Sequence, residues 1–148
     1  MKIYLDNCAY NRPFDDQSQI RIFLEAQAKL HIQRLVTANK LKLACSYMSL
    51  FENNDNPHEE RHFSIAEFLN HASLFVDYDK AEKIEIKAAE IMKCNIKNKD
   101  AIHIACAIEA KCDYFITTDD DLAKKYTDND IVICSPVDFI KITGEQDE

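Results

Sequence analysis

The feature that most constrains this sequence is the alternation of short apolar runs with longer segments of helical periodicity. The apolar runs at 2–5, 41–45, 74–76, 114–117 and 131–133 have the length of strands. Apolar spacing predicts helices at about 19–39, 48–53, 59–70, 79–95 and 101–108, with short ones after Asp119 and near 136–140. Hairpin signals are few, since the chain has only one Gly and three Pro. We therefore predict an α/β fold, a three-layer α/β/α sandwich with a mainly parallel central sheet.

Length and composition indicate one globular domain. The 148 residues are 47% hydrophobic and 30% charged, which predicts a single domain at 1–143 followed by a polar tail at 144–148. The first apolar run ends at Asp6, too early for a signal peptide or a membrane span, so we expect a cytoplasmic protein that does not enter a membrane. Six cysteines without a Cys-x-x-Cys pair predict buried free thiols.

The net charge of −8 argues against a nucleic-acid binder, because such proteins neutralise phosphates with basic residues. A nuclease remains compatible with this charge if some of the acids converge on metal ions, which reverse the local sign of the field.

Four acids lie where a parallel sheet places its ligands, outside the carboxyl ends of the strands. Asp6 closes the first strand, Asp119 closes the strand at 114–117, Asp100 opens the helix at 101–108, and Glu52 lies on the helix after the second strand. Four carboxylates at one edge repel one another unless a cation lies among them. A site of oxygen ligands suits Mg²⁺ or Mn²⁺.

Each of these acids also has a structural interpretation that the sequence leaves open. Asp100 and Asp119 are suited to cap helices, Asp6 to start a loop, and Glu52 to sit exposed on a helix. Residues near these acids in the sequence also have more than one interpretation. Thr117 and Thr118 are candidates to orient a carboxylate, His103 is expected to be a hydrogen-bonded helix residue, and three cations are candidate phosphate contacts or solvated charges: Arg12, Lys97 and Lys99.

Four segments together resemble the acidic motifs of the PIN domain family, in that family's order: Ile3–Asp6, Ser46–Glu52, Lys99–Ala107 and Ile116–Leu122. The resemblance implies a PIN-like sandwich and an endoribonuclease, a hydrolase of single-stranded RNA that uses water activated by Mg²⁺ or Mn²⁺. It further implies a VapC-like toxin of a type II toxin–antitoxin pair, with an antitoxin partner and a homodimer. The implied metal ligands are Asp6, Glu52, Asp100 and Asp119, with Asp121 at a more variable position.

The sequence departs from the family's pattern at two places. Asn7 follows the first Asp where many members have Thr or Ser, and we expect its amide to supply a similar hydrogen bond. The polar loop from Asn7 to Gln19 is also longer than expected, which bears on substrate choice.

Two other functions compete with the nuclease. His58, Glu59 and His62 match the His-Glu-x-x-His pattern of zinc metallopeptidases, with Glu82 or His71 as candidate third ligands. The alternative interpretation is that this segment is only the exposed first turn of a helix. A non-catalytic binding or assembly module is the other candidate, although it has no physical reason to keep four repelling carboxylates together.

Overall fold

An all-parallel sheet of five strands forms the centre of the fold. The computed structural model describes residues 1–144, so most of the predicted tail lies outside the described residues. The strands are Lys2–Leu5 (β1), Lys42–Ser46 (β2), Leu74–Val76 (β3), Tyr114–Ile116 (β4) and Val132–Cys134 (β5), in the order β3-β2-β1-β4-β5. The helices are Asn7–Asn11 (α1), Ile20–Thr37 (α2), Tyr47–Asn54 (α3), Glu59–Leu69 (α4), Ala81–Met92 (α5), Asn98–Glu109 (α6), Asp120–Lys125 (α7) and Pro136–Thr143 (α8).

Helices cover both faces of the sheet, as the alternation of strand side chains requires. Tyr4 of β1 points to the face covered by α5 and α6, where it belongs to the same buried cluster as Ile84 and Ile104. Its neighbours Ile3 and Leu5 point to the opposite face, where the buried cluster is completed by α2, α4 and α8. The predicted three-layer α/β/α sandwich is therefore confirmed, and the sheet is parallel throughout.

Several element boundaries differ from the sequence-based predictions. The stretch after Asp6, expected to be a loop, contains α1 and a 3-10 turn at Arg12–Phe14. Asp6 caps α1, and Ala9 and Tyr10 anchor it in the core. Helix α6 begins three residues before the predicted start, so Asp100 lies inside its first turn rather than at its cap.

All six cysteines are free, as predicted, and four are buried: Cys45, Cys106, Cys112 and Cys134. Cys8 and Cys94 are half-buried. None of the helices in residues 1–144 has the length and apolarity of a membrane span.

Candidate active site

The parallel sheet brings the four predicted acids to its carboxyl edge. Strands β2, β1 and β4 are neighbours, so the residues that follow them meet there. Asp6 follows β1 directly, Asp119 lies three residues after β4, and Glu52 lies on α3, which follows β2 directly. Helix α6 enters at the same edge and carries Asp100 in its first turn. One pocket of about 320 Å³ is lined by all four acids together with Asn7, Cys8, Arg12 and Thr118.

Asp6 is buried, with 6% of its surface exposed, and several donors hold its carboxylate in place. The Thr117 hydroxyl donates to one carboxylate oxygen at 2.9 Å, and the backbone N–H of Asn7 donates to the other at 2.8 Å. The expected bond from the Asn7 side-chain amide is not formed. The side-chain oxygen of Asn7 accepts from the amide of Asn11 at 3.2 Å, and it is the backbone N–H of Asn7 that bonds Asp6.

Asp119 is both a helix cap and a wall of the pocket. Its carboxylate accepts from the backbone N–H groups of Asp121 and Leu122 at the start of α7, and its own N–H donates to the Thr117 hydroxyl at 3.1 Å. Thr117 therefore contacts two of the four acids. Thr118 lines the pocket, while Asp121 is exposed and lines a smaller neighbouring pocket of about 150 Å³.

Glu52 ends a chain of hydrogen bonds that reaches into the core. The Nε2 atom of His103 bonds the Glu52 carboxylate, and the Nδ1 atom of His103 lies 2.6 Å from the Tyr4 hydroxyl. The Tyr4 hydroxyl also bonds the hydroxyls of Ser46 at 2.7 Å and Ser49 at 3.1 Å. Because a carboxylate only accepts, the Nε2–H of His103 donates to Glu52. Hydrogen bonds therefore run without a break from Ser46 and Ser49 through Tyr4 and His103 to Glu52.

Sequence reasoning expected His103 to be hydrogen-bonded but missed its partners. His103 is 1% exposed and sits in a helix that is otherwise apolar almost all round. A buried polar side chain needs hydrogen-bond partners, so a histidine in an apolar helix could have indicated a buried polar contact. Burial raises the pKa of Tyr4 well above its ordinary value, so its hydroxyl stays protonated within these hydrogen bonds.

The carboxylates interact electrostatically across the pocket. Burial raises the pKa of Asp100, and the charges of Asp6, Asp119 and Glu52 raise it further, while His103 acts in the opposite direction. Within residues 1–144, however, no three His, Cys, Asp or Glu side chains already form a group that could hold a metal ion. Protein donors hold three of the acids in their present positions: Asp6, Glu52 and Asp119.

The three candidate phosphate contacts have different environments. Arg12 lines the carboxylate pocket, but its guanidinium pairs with Asp15 at 3.1 Å and with Glu25 at 3.4 Å, so its charge is largely neutralised. Lys97 lines the smaller pocket beside Asp121. Lys99 lines a third, polar pocket on the other side of Glu52.

The His-Glu-x-x-His segment does not form a zinc site in the part of the chain that the structure describes. His58 is exposed at the start of α4, and Nδ1 of His62 lies 2.8 Å from the carbonyl oxygen of Asn53. Glu82 and His71, the candidate third ligands, are not grouped with them. The peptidase hypothesis therefore gains no structural support.

Comparisons with known proteins agree with this geometry. The sequence model of the PIN domain family matches residues 3–127. Seven chains of solved structures match this fold, and one belongs to the crystal structure of VapBC2 from Rickettsia felis bound to a DNA fragment from their promoter. That chain is 12% identical, with a TM-score of 0.54 over 90% of this chain and 97% of its own length. No curated protein matches the sequence at a significant level.

Proposed function

The chain belongs to the PIN domain family, whose members are generally nucleases, and from this premise we propose that it is a metal-dependent endoribonuclease of single-stranded RNA. The observation that carries the proposal is the single pocket lined by Asp6, Glu52, Asp100 and Asp119 at the carboxyl edge of the sheet. Burial and the charges of Asp6, Asp119 and Glu52 raise the pKa of Asp100, and a cation among these carboxylates would relieve the repulsion.

The donors in the pocket fit Mg²⁺ or Mn²⁺. The acids offer hard oxygen ligands, which suit these cations. The one thiol nearby, that of Cys8, lies 3.4 Å from the Asp6 carboxylate, and burial raises its pKa to about 11. The lining therefore offers one thiol beside four carboxylates, so hard oxygen donors predominate. Asp6, Glu52, Asp100 and Asp119 would hold the cation, with Asp121 as a weaker candidate.

A bound cation supplies an activated water for in-line attack on phosphorus and neutralises charge on the leaving oxygen. The protein's own residues position the ligands. Thr117 fixes Asp6 and the backbone of Asp119 through one hydroxyl, and His103 fixes Glu52. The amino termini of α6 and α7 direct their dipoles toward the same pocket, which favours both the carboxylates and a phosphate.

We further propose that the chain acts as the toxin of a toxin–antitoxin pair. One solved structure with a similar fold is a VapBC complex bound to a promoter DNA fragment, which supports an antitoxin as partner. A homodimer and a cytoplasmic location complete the proposal, the latter supported by six free cysteines, which persist in a reducing compartment.

A non-catalytic binding module is the second candidate, and one observation favours it: no group of acids among residues 1–144 is already arranged to hold a metal ion. A calorimetric titration with Mn²⁺ separates the two candidates. Saturable binding that is lost in the Asp6→Asn protein supports the nuclease, and no binding supports the module.

The decisive experiment is cleavage of a labelled single-stranded RNA with Mn²⁺ or Mg²⁺, and with EDTA as the metal-free arm. Asp6→Asn, Asp100→Asn and Asp119→Asn should each lower the rate at least about a hundredfold, or about 2.7 kcal/mol of transition-state stabilisation. Asp128→Asn is the matched control, because this exposed residue precedes β5 at the opposite edge of the sheet. Full activity in the Asp100→Asn protein would contradict the proposal.

A further inference from the structure

The carboxylate pocket is the middle of a longer groove along the carboxyl edge of the sheet. On one side it shares Asp100 and Asp119 with the small pocket that Lys97 lines. On the other side it shares Asn7 and Glu52 with a polar pocket of about 360 Å³. This polar pocket, called the amide pocket here, is further lined by Asn11, Asp55, Asn56, Pro57, His58, Arg61 and Lys99.

The amide pocket has walls that are held together across two distant segments. The Asn56 amide donates to the side-chain oxygen of Asn11 at 3.2 Å, and the Asn11 amide donates to the backbone oxygen of Asn7 at 3.0 Å. Arg61 donates to the carbonyl oxygen of Phe14 at 2.8 Å, and its guanidinium lies 5.6 Å from the centre of that ring. The region after β1 and the start of α4 therefore form one ordered wall.

The chemistry of this lining indicates the class of ligand. The side-chain oxygens of Asn7, Asn11 and Asn56 each accept one hydrogen bond within the wall, and the remaining lone pairs and N–H groups of these amides match the edges of nucleobases. Arg61 and Lys99 supply positive charge for a phosphate. The ring of Phe51 is 51% exposed and lies 6.0 Å from the Lys99 ammonium, so it offers a stacking surface beside the pocket.

Two acids in the lining of the amide pocket restrict the class of ligand further. Glu52 and Asp55 disfavour a bare anion, because they repel it as Arg61 and Lys99 attract it. A nucleotide fits this mixture better, since its neutral base contacts the amides while its phosphate contacts the cations. The volume falls within the range of small-molecule sites.

We infer that the amide pocket binds the nucleotide that flanks the scissile phosphate of single-stranded RNA, and so selects which RNA is cut. This inference rests on the proposed nuclease function for its position along the substrate. His58, which forms no zinc site, would then help to line a nucleotide site. The long segment after Asp6 would form another part of its wall.

The first test is binding of nucleoside 5′-monophosphates, followed by NMR on the side-chain amide signals of Asn11 and Asn56 in metal-free buffer. We expect saturable shifts at millimolar concentration that differ among the four bases, and smaller shifts with ribose 5-phosphate. The double variant Asn56→Ala/His58→Ala should weaken binding at least about fivefold, the effect of losing about one hydrogen bond.

The matched control is Asn129→Ala/His71→Ala, which removes the same two residue types from exposed positions before β5 and β3, at the opposite edge of the sheet. It should bind like the parent. Absent shifts, equal shifts with ribose 5-phosphate, or equal weakening in the two double variants would overturn the inference.

The second test maps cleavage ends in an RNA with a randomised segment. The Asn56→Ala/His58→Ala protein should change the base preference beside the cut, and the control variant should keep the parent's preference. Base-dependent binding without any cleavage by the parent would support the amide pocket while contradicting the proposed nuclease. Cleavage with an unchanged preference in the Asn56→Ala/His58→Ala protein would contradict the amide pocket and leave the nuclease intact.

Discussion

Two tyrosines on opposite faces of the sheet show two different ways of burying a polar group. Tyr4 is 0% exposed on the face of α5 and α6, and its hydroxyl has hydrogen-bond partners in Ser46, Ser49 and His103. Tyr10 is 2% exposed on the face of α2, α4 and α8, and within residues 1–144 its hydroxyl has no hydrogen-bond partner. Burial raises the pKa of both well above the ordinary value.

The polar residues next to the two tyrosines also differ in whether they connect to the candidate active site. His103 bonds both Tyr4 and Glu52, so the hydrogen-bonded groups buried on that face connect to the candidate active site. Beside Tyr10 lies Lys29, which is 4% exposed, donates to Gln33 at 2.8 Å and packs over the rings of Tyr10 and Phe68. The connected polar groups on one face thus hold Glu52 of the candidate active site, whereas the burial of Lys29 costs stability without reaching that site.

The largest expected effect tests whether the chain through His103 positions Glu52. His103→Ala should lower RNA cleavage by about 10–100-fold and raise the Mn²⁺ concentration for half-maximal rate, as loss of a partner to a metal ligand typically does. His103→Gln should recover part of the loss, because an amide also donates to the Glu52 carboxylate. Rates at several Mn²⁺ concentrations measure both effects.

The other face supplies the control for that experiment. Lys29→Met removes a buried polar group that has no contact with the carboxylate pocket, so it should leave the rate and the Mn²⁺ dependence unchanged. If His103→Ala cuts RNA like the parent at every Mn²⁺ concentration, the chain is structural only.

The second prediction concerns stability on the face of Lys29. Desolvation lowers the pKa of Lys29 from 10.5 to about 8, so the folded protein carries a cost at pH 7, where the lysine is charged in both the folded and unfolded states. As the pH rises above about 8, the folded state loses its proton first and the cost falls. The free energy of unfolding of Lys29→Met minus that of the parent should therefore decrease by about 2 kcal/mol between pH 7 and pH 10.

Urea unfolding of both proteins at the two pH values measures this difference. Ionisation of the buried thiols affects both proteins alike and cancels when they are compared. A difference that stays constant or grows with pH would show that Lys29 is not held in the desolvated position described above.

The sequence predicts the secondary structure and the four acids of the pocket better than it predicts the buried polar contacts. Periodicity was sufficient for the strands and most helices, and the rule that ligands bind at the carboxyl ends of strands brought Asp6, Glu52, Asp100 and Asp119 to one pocket. Helix α1 was missed because Asn7–Asn11 is only five residues long, too short to show helical periodicity, and its stability comes from the Asp6 cap and the burial of Tyr10.

The remaining features depend on contacts between distant residues. Tyr4 bonds His103 across 99 positions, and Asn56 bonds Asn11 across 45 positions, so no local pattern announces either contact. The burial of Lys29 was also missed, because a lysine on a helix is ordinarily exposed.

The third prediction compares the two tyrosines directly. Tyr4→Phe keeps the stacking on Phe115 but removes one hydrogen bond from each of Ser46, Ser49 and His103, and should destabilise the fold by about 1–2 kcal/mol. Tyr10→Phe removes a buried hydroxyl that lacks a partner, and should be neutral or slightly stabilising. Urea unfolding at pH 7 measures both, and equal effects would remove the distinction between the two faces.

The smallest effect tests the cost of the carboxylate pocket itself. Burial and the charges of Asp6, Asp119 and Glu52 raise the pKa of Asp100, so its ionised form destabilises the folded state at pH 7. In EDTA, Asp100→Asn should melt a few degrees above the parent, at about 2–4 °C for each kcal/mol relieved. The gain should diminish as the pH falls toward the ordinary carboxyl value of 3.8, where the parent also becomes neutral.

A purely helical role for Asp100 predicts the opposite sign. Asp100 lies in the first turn of α6, where a negative charge interacts favourably with the helix dipole by about 0.3–1 kcal/mol, so its loss alone would lower the melting temperature. Mn²⁺ supplies the second criterion. It should raise the midpoint of the parent by binding the folded state and should shift Asp100→Asn much less. A lower midpoint in EDTA together with equal responses to Mn²⁺ would mean that Asp100 stabilises its helix and that the four acids do not share a cation.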